Sequence, residues 1–149
     1  MAITETRIKH GNVSKAIKDI VKNSNLELGV QIASQAKALS PVDLGQLRNS
    51  ISVSSLEQTL LLNNKQGDEA KELNTSGLKD DEVYVGSNSD HALYQEYGTI
   101  RQPAQPFLRP SAELKAKGSN VADIVSKYNA KAMKEELKER QKTVKKYGN

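Results

Sequence analysis

The sequence predicts an α+β fold: a long N-terminal helix, a small and mainly antiparallel sheet, and further helices at the C-terminus. Three observations carry that expectation. From Val13 to Leu39 the apolar residues recur at steps of three, four and seven, the period of one helical face. The period then drops to two around Ile51, Val53, Leu60 and Leu62, as in half-buried strands. A second helical stripe, Val121, Ile124, Val125, Tyr128, Ala132 and Leu137, follows near the C-terminus.

The first stripe, through Ile17, Ile20, Val21, Leu28, Ile32 and Ala36, gives one amphipathic helix over about 13–39. Asn23–Asn25 and Gly29 are the places where it could kink. Ser40-Pro41 stops it, because proline lacks an amide proton and disfavours the helical region for its predecessor. Residues 41–48 then read as a turn and a short helix, with Asp43 suited to the N-cap and Gln46 placed to reach back as in a capping box. Strands are expected near 50–56 and 58–63. Asn63–Asp81 is polar, holds Gly67, Gly77 and the Asp68-Glu69 pair, and shows no stripe; a loop of that length in a small domain is commonly functional or without fixed structure. Glu82–Gly86 reads as a third strand.

Ser89–Tyr97 returns to helical character, with Ser89 or Asp90 as cap and Gly98 as the stop. Thr99–Pro106 contains Pro103 and Pro106 and is expected to be extended. Pro106 then suits a first-turn position, opening a helix through about Lys115. Gly118-Ser119-Asn120 interrupts, and the last helix is expected to reach about Lys142 before fraying at Lys145-Lys146. The expected organisation is one α+β unit over residues 1–118 and a basic helix over 119–149.

Composition narrows function by exclusion. A chain of 149 residues, 36% hydrophobic and 27% charged, fits one domain. With five Tyr, one Phe and no Trp, the core must rest on Leu, Ile, Val and Ala. The absence of cysteine excludes disulfides, thiolate metal sites, iron–sulfur clusters and cysteine nucleophiles. No apolar run reaches the roughly 18–20 residues of a membrane span, and Glu5, Arg7 and Lys9 argue against a secretory signal. The expectation is a soluble intracellular product.

The formal charge of +4 is unevenly placed. Residues 1–112 carry 12 basic and 13 acidic side chains, whereas residues 113–149 carry 10 and 5. A basic tail can meet nucleic acid, an anionic membrane or an acidic protein face; interspersed Glu and Asp make a solvated helix face the plainer reading. Part of the lysine series Lys115, Lys117, Lys127, Lys131, Lys134, Lys138, Lys142 and Lys145-Lys146 lines one helical face, as phosphate binding requires. Tyr84 and Tyr94 are too few for a stacking platform. DNA binding through this helix, without sequence specificity, is the alternative function.

Signals for catalysis are lacking. The histidines are His10 and His91. His91, near Asp90 and Glu96, has poor geometry for a metal or acid–base cluster on a helix. There is no nucleophile elbow, phosphate loop or dinucleotide glycine pattern. Asp80-Asp81 and Glu135-Glu136 are sequence neighbours that point to different sides. The sequence therefore predicts no enzyme, no cofactor and no metal.

Two segments carry a family resemblance. One runs from Ala36 to Ile51 and contains Pro-Val-Asp-Leu-Gly-Gln-Leu-Arg-Asn-Ser-Ile. The other is His91-Ala-Leu-Tyr-Gln-Glu-Tyr-Gly-Thr99, followed by Gln105-Pro-Phe-Leu-Arg-Pro-Ser111. In this order and spacing, over about residues 26–115, the chain resembles the head–tail joining, or tail-completion (neck), family of long-tailed bacteriophages, similar to lambda minor tail protein Z. Its motif residues are Pro41, Asp43, Gly45, Leu47, Arg48, Ser50 and Ile51, then Tyr94, Glu96, Tyr97, Gly98 and Thr99, then Pro106, Phe107, Arg109 and Pro110.

The resemblance implies a non-enzymatic virion protein that forms a ring, often sixfold, between the head connector and the tail tube or terminator proteins. It implies a subunit whose long helix packs across a small sheet, assembly in the host cytoplasm, no membrane partner, and at most nonspecific contact with passing DNA. The residues themselves also have a plain structural reading. Leu47 and Ile51 feed the core, Gly45 permits a tight backbone, and Phe107 anchors the helix after Pro106 by burying its ring. Glu96 is expected to accept backbone amides or to pair with Arg109 or Arg101. A ring contact is heterologous and needs two different faces; the Thr99–Gln105 arm and the 63–81 loop are the candidates.

Overall fold

A computed structural model describes the backbone of residues 10–41, 45–56, 59–60 and 76–147, and the side chains of 14–41, 45–56 and 76–145. Helix α1 spans His10–Leu39 and runs unbroken through Asn23–Asn25 and Gly29. Gly29 is a point of close approach. A Cβ there would lie 2.9 Å from Val83 Cγ1 and 3.0 Å from Val53 Cγ1, so the missing side chain lets the helix settle onto the sheet. At the far end, the Ser40 amide donates to the Ala36 carbonyl at 2.8 Å and its hydroxyl donates to the Lys37 carbonyl at 3.0 Å. These bonds use carbonyls that a helix end leaves unpaired.

Helix α2 covers Gln46–Ser50 and is preceded by Gly45 in the left-handed region, with φ +76° and no side-chain cap. The expected capping box is corrected to that extent: Gln46 is itself the first helical residue. Asp43 lies outside the described residues. Strands β1 (Ile51–Ser55), β2 (Thr59–Leu60) and β3 (Val83–Ser87) form an antiparallel sheet in the order β2-β1-β3. Val53 stands opposite Leu60 on one side and Val85 on the other. As the central strand, β1 is buried at all five positions. Leu62 and residues 63–75 of the expected loop lie outside the described residues; at the end of that loop Leu78 is buried.

Helix α3 runs over Asp90–Tyr97 and ends on Gly98, whose amide donates to the Tyr94 carbonyl at 2.8 Å. The next segment corrects the expectation of an extended arm. Thr99 and Gln102 exchange backbone hydrogen bonds of 2.8 and 3.3 Å, closing a turn over Ile100-Arg101. Helix α4 is Leu108–Lys115 with Phe107 at the N-cap, so Pro106 precedes the cap and Pro110, not Pro106, occupies the first turn.

Helix α5 spans Gly118–Tyr147, starting at the glycine expected to interrupt and continuing past Lys142. Asn120 ties its start to both neighbours, donating to the Lys115 carbonyl at 2.8 Å and to Gln31 Oε1 at 3.0 Å. Pairs Arg140–Glu136 (2.7 Å) and Lys142–Glu139 (2.8 Å) support its later turns, each a small contribution at exposed positions.

The core gathers Ala33, Ala36, Leu47, Ile51, Val53, Ala92 and Phe107, with Leu26, Val30, Val83, Val85 and Leu108 against it. Helix α1 is its hub, touching the sheet, α2, α4 and α5. Asn120 meets Gln31 and Lys127 meets Glu27, so α5 runs antiparallel along α1 with Ile124 buried between them. Glu135 still borders α1 beside Ala16 and Asp19, whereas Leu137, read as part of the packed stripe, is 57% exposed. No described helix is long and apolar enough to cross a membrane.

Candidate subunit-contact site

Glu96, Phe107 and Arg109 of the second motif segment meet at one carboxylate. Glu96, in the last turn of α3, is only 7% exposed. Its Oε2 accepts the amides of Phe107 at 2.9 Å and Leu108 at 3.0 Å, and Oε1 accepts that of Arg109 at 3.0 Å. These are the otherwise unpaired donors at the start of α4, and the next residue, Pro110, has no amide to satisfy. The negative charge also faces the positive end of the α4 dipole. Burial pushes the Glu96 pKa up, but the three amides and the Arg109 charge outweigh it and hold it below the ordinary value. Arg109 Nε lies 3.8 Å from Oε1, while its guanidinium sits 5.7 Å from the Tyr97 ring centroid. Of the two cations expected beside Glu96, Arg109 is the one found there.

Glu96 thereby locks α3 to α4, and the chain between them is drawn into a fixed turn. Gly98 makes that turn possible. It has φ +76°, and a Cβ would lie 2.7 Å from the Ala104 amide nitrogen and 2.9 Å from the Gln102 carbonyl oxygen. Gln95 secures the returning chain, accepting the Gln105 amide on its carbonyl at 2.8 Å and Gln102 Nε2 on its side chain at 3.1 Å. Phe107, with no exposure, roots the assembly in the core.

The clamp holds an apolar tip in water. Leu93 (63% exposed), Tyr94, Tyr97 (67%) and the wholly exposed Ile100 surround a shallow hollow with Thr99 and Arg101. Exposed apolar residues held together on a rigid turn mark a contact surface more strongly than single ones do. Tyr94, Tyr97 and Thr99 belong to the motif; Leu93 and Ile100 do not. Ile100 does lie in the Thr99–Gln105 arm expected to be a contact face, whereas Leu93 was not singled out.

The first motif segment is placed differently. Leu47 and Ile51 are buried, Pro41 is half-buried and Arg48 is exposed. The Ser50 hydroxyl donates to the Leu47 carbonyl at 2.7 Å and also meets the Ser87 hydroxyl, joining α2 to β3. Lys37 is buried near Arg48, and burial first, then the Arg48 charge, lowers its pKa. This segment therefore lies apart from the tip. Pro106 is exposed and Pro110 half-buried. His91 is exposed on α3, and no cluster of metal-ligating side chains occurs among the described residues.

Over residues 8–98 the chain matches the family described as "Bacteriophage HK97-gp10, putative tail-component". The match takes in α1, the sheet and the Tyr-x-Glu-Tyr-Gly segment, starts before the span expected from the motifs, and leaves Gln105–Ser111 beyond its end. No curated protein and no solved structure matches the chain. Since the match covers more than half of the sequence, this protein belongs to the HK97-gp10-like family of phage tail components.

Proposed function

We propose that this phage structural protein acts at the head–tail junction by closing into a ring, with six copies as the family resemblance suggests, between the head connector and the tail tube or terminator. The observation that carries the reading is the clamped tip. A carboxylate buried to fix a turn whose outer surface is apolar makes sense when that surface is covered in the working state. The receiving face would be the groove between α1 and the end of the 63–81 segment, lined by Ile17, Val21, Lys79, Asp80 and Asp81. There Ile17 and Val21 are exposed, and the two faces are dissimilar, as a head-to-tail ring contact demands. Residues 1–118 would supply both faces. The work is geometric: a collar matches one ring to another and leaves a passage for DNA.

The test is negative-stain imaging of particles assembled with the parent protein, without it, and with Ile100→Asp. Full heads beside separate tails in the latter two support the reading. Normally joined virions without the protein overturn the junction role, and normally joined virions with Ile100→Asp overturn the assignment of the tip.

A further inference from the structure

The lysines of α5 share one side of the helix. At about 100° per residue, Lys127, Lys131, Lys134, Lys138, Lys142 and Lys145 fall within a sector about 80° wide and about 27 Å long. All six are exposed. The side packed on α1, carrying Val121, Ile124, Tyr128 and Ala132, is turned about 90° away, so docking on α1 leaves Lys134, Lys138, Lys142 and Lys145 open, while Lys131 borders the hollow between α5 and α1. Lys127 pairs with Glu27 and Lys142 with Glu139. Among the described residues, Lys131, Lys134, Lys138 and Lys145 have no ion-pair partner. The exposed Met133, Leu137 and Val144 lie on a third side, about 120° from the lysines.

We propose that this stripe binds the phosphate backbone of duplex DNA without reading its sequence. The chemistry fits the backbone alone. Lysine offers a point charge on a flexible stem, suited to phosphate, whereas the stripe holds no arginine to fork onto a guanine and no aromatic ring to stack on a base. An acidic protein groove would use an apolar anchor with the charges as its rim, and the apolar residues of this half of α5 face elsewhere. The proposal is independent of the ring: a stripe clear of both the tip and the α1 groove can grip DNA in a single copy.

The test is fluorescence anisotropy of the full-length protein with two labelled 24-base-pair duplexes of unrelated sequence. With about four phosphates neutralised, affinity should fall about 100-fold between 50 and 200 mM salt, equally for both sequences. The triple variant Lys131→Gln/Lys134→Gln/Lys138→Gln should bind at least tenfold more weakly at 50 mM salt with an unchanged circular dichroism spectrum. The charge-matched control Lys15→Gln/Lys18→Gln/Lys117→Gln should stay within twofold of the parent. No binding at 50 mM salt, equal loss in both triples, or poly-glutamate binding as tight as the duplex would each overturn the proposal.

Discussion

Replacing Glu96 with alanine probes the clamp directly. The substitution leaves the amides of Phe107, Leu108 and Arg109 without their acceptor. An unsatisfied buried donor costs about 1–3 kcal/mol, with the lower end apt for Leu108 and Arg109, which are only part-buried. The sum is about 3–5 kcal/mol, a large share of the 5–15 kcal/mol that holds a typical domain together. Glu96→Gln keeps the shape and one acceptor oxygen but turns an NH2 group toward a donor and removes the charge–dipole attraction, so about 2 kcal/mol should go. Urea unfolding followed by circular dichroism at pH 7 reads both values. A Glu96→Ala variant within about 1 kcal/mol of the parent would refute the clamp. Acid offers a second check. The folded pKa lies below the ordinary carboxylate value of 4.5, so the native state favours the charged form. That stabilisation is whole above the ordinary value and drains away as pH falls through the folded one. The gap between parent and Glu96→Gln should therefore narrow progressively below about pH 4.5.

Two further substitutions test the close approaches. Gly98→Ala combines an unfavourable positive φ with a methyl group 2.7 Å from the backbone of Ala104, and should cost about 2–4 kcal/mol by thermal or urea unfolding; a loss below 1 kcal/mol contradicts the turn geometry. Gly29→Val forces methyl groups into Val53 and Val83 and should cost about 2–3 kcal/mol, whereas a neutral or stabilising outcome means that α1 does not rest on the sheet at that residue.

Much of the architecture was legible from periodicity. The α1 stripe, the alternation at Ile51 and Val53, and the cap-to-glycine span of α3 are local signals, and each became the element expected. The misreadings share a cause, since they concern residues whose role depends on distant chain. Gly29 read as a weak point in a helix because its neighbours Val53 and Val83 come from other elements. Pro103 and Pro106 suggested an extended arm, yet Gly98 and Gln95 fold its first half into a turn. Leu137 completed a stripe on paper, but at about 100° per residue it falls on the side of α5 turned away from α1. Glu96 was singled out with two kinds of partner open, amides or arginines; the structure supplies both, the amides directly and Arg109 at the edge. Ile100 lay within the Thr99–Gln105 arm singled out as a contact face, whereas Leu93 carried no positive signal of its own.

The hub position of α1 ties its packing to the order of synthesis. Its sheet neighbours emerge from the ribosome tens of residues after it, and its last neighbour, α5, about a hundred residues later, as the Lys127–Glu27 pair records. Until then the nascent chain carries a thirty-residue amphipathic helix with one apolar flank bare. Completion of this protein is thus a late, nearly all-at-once event, and shortened translation products should be the species that chaperones hold and proteases remove.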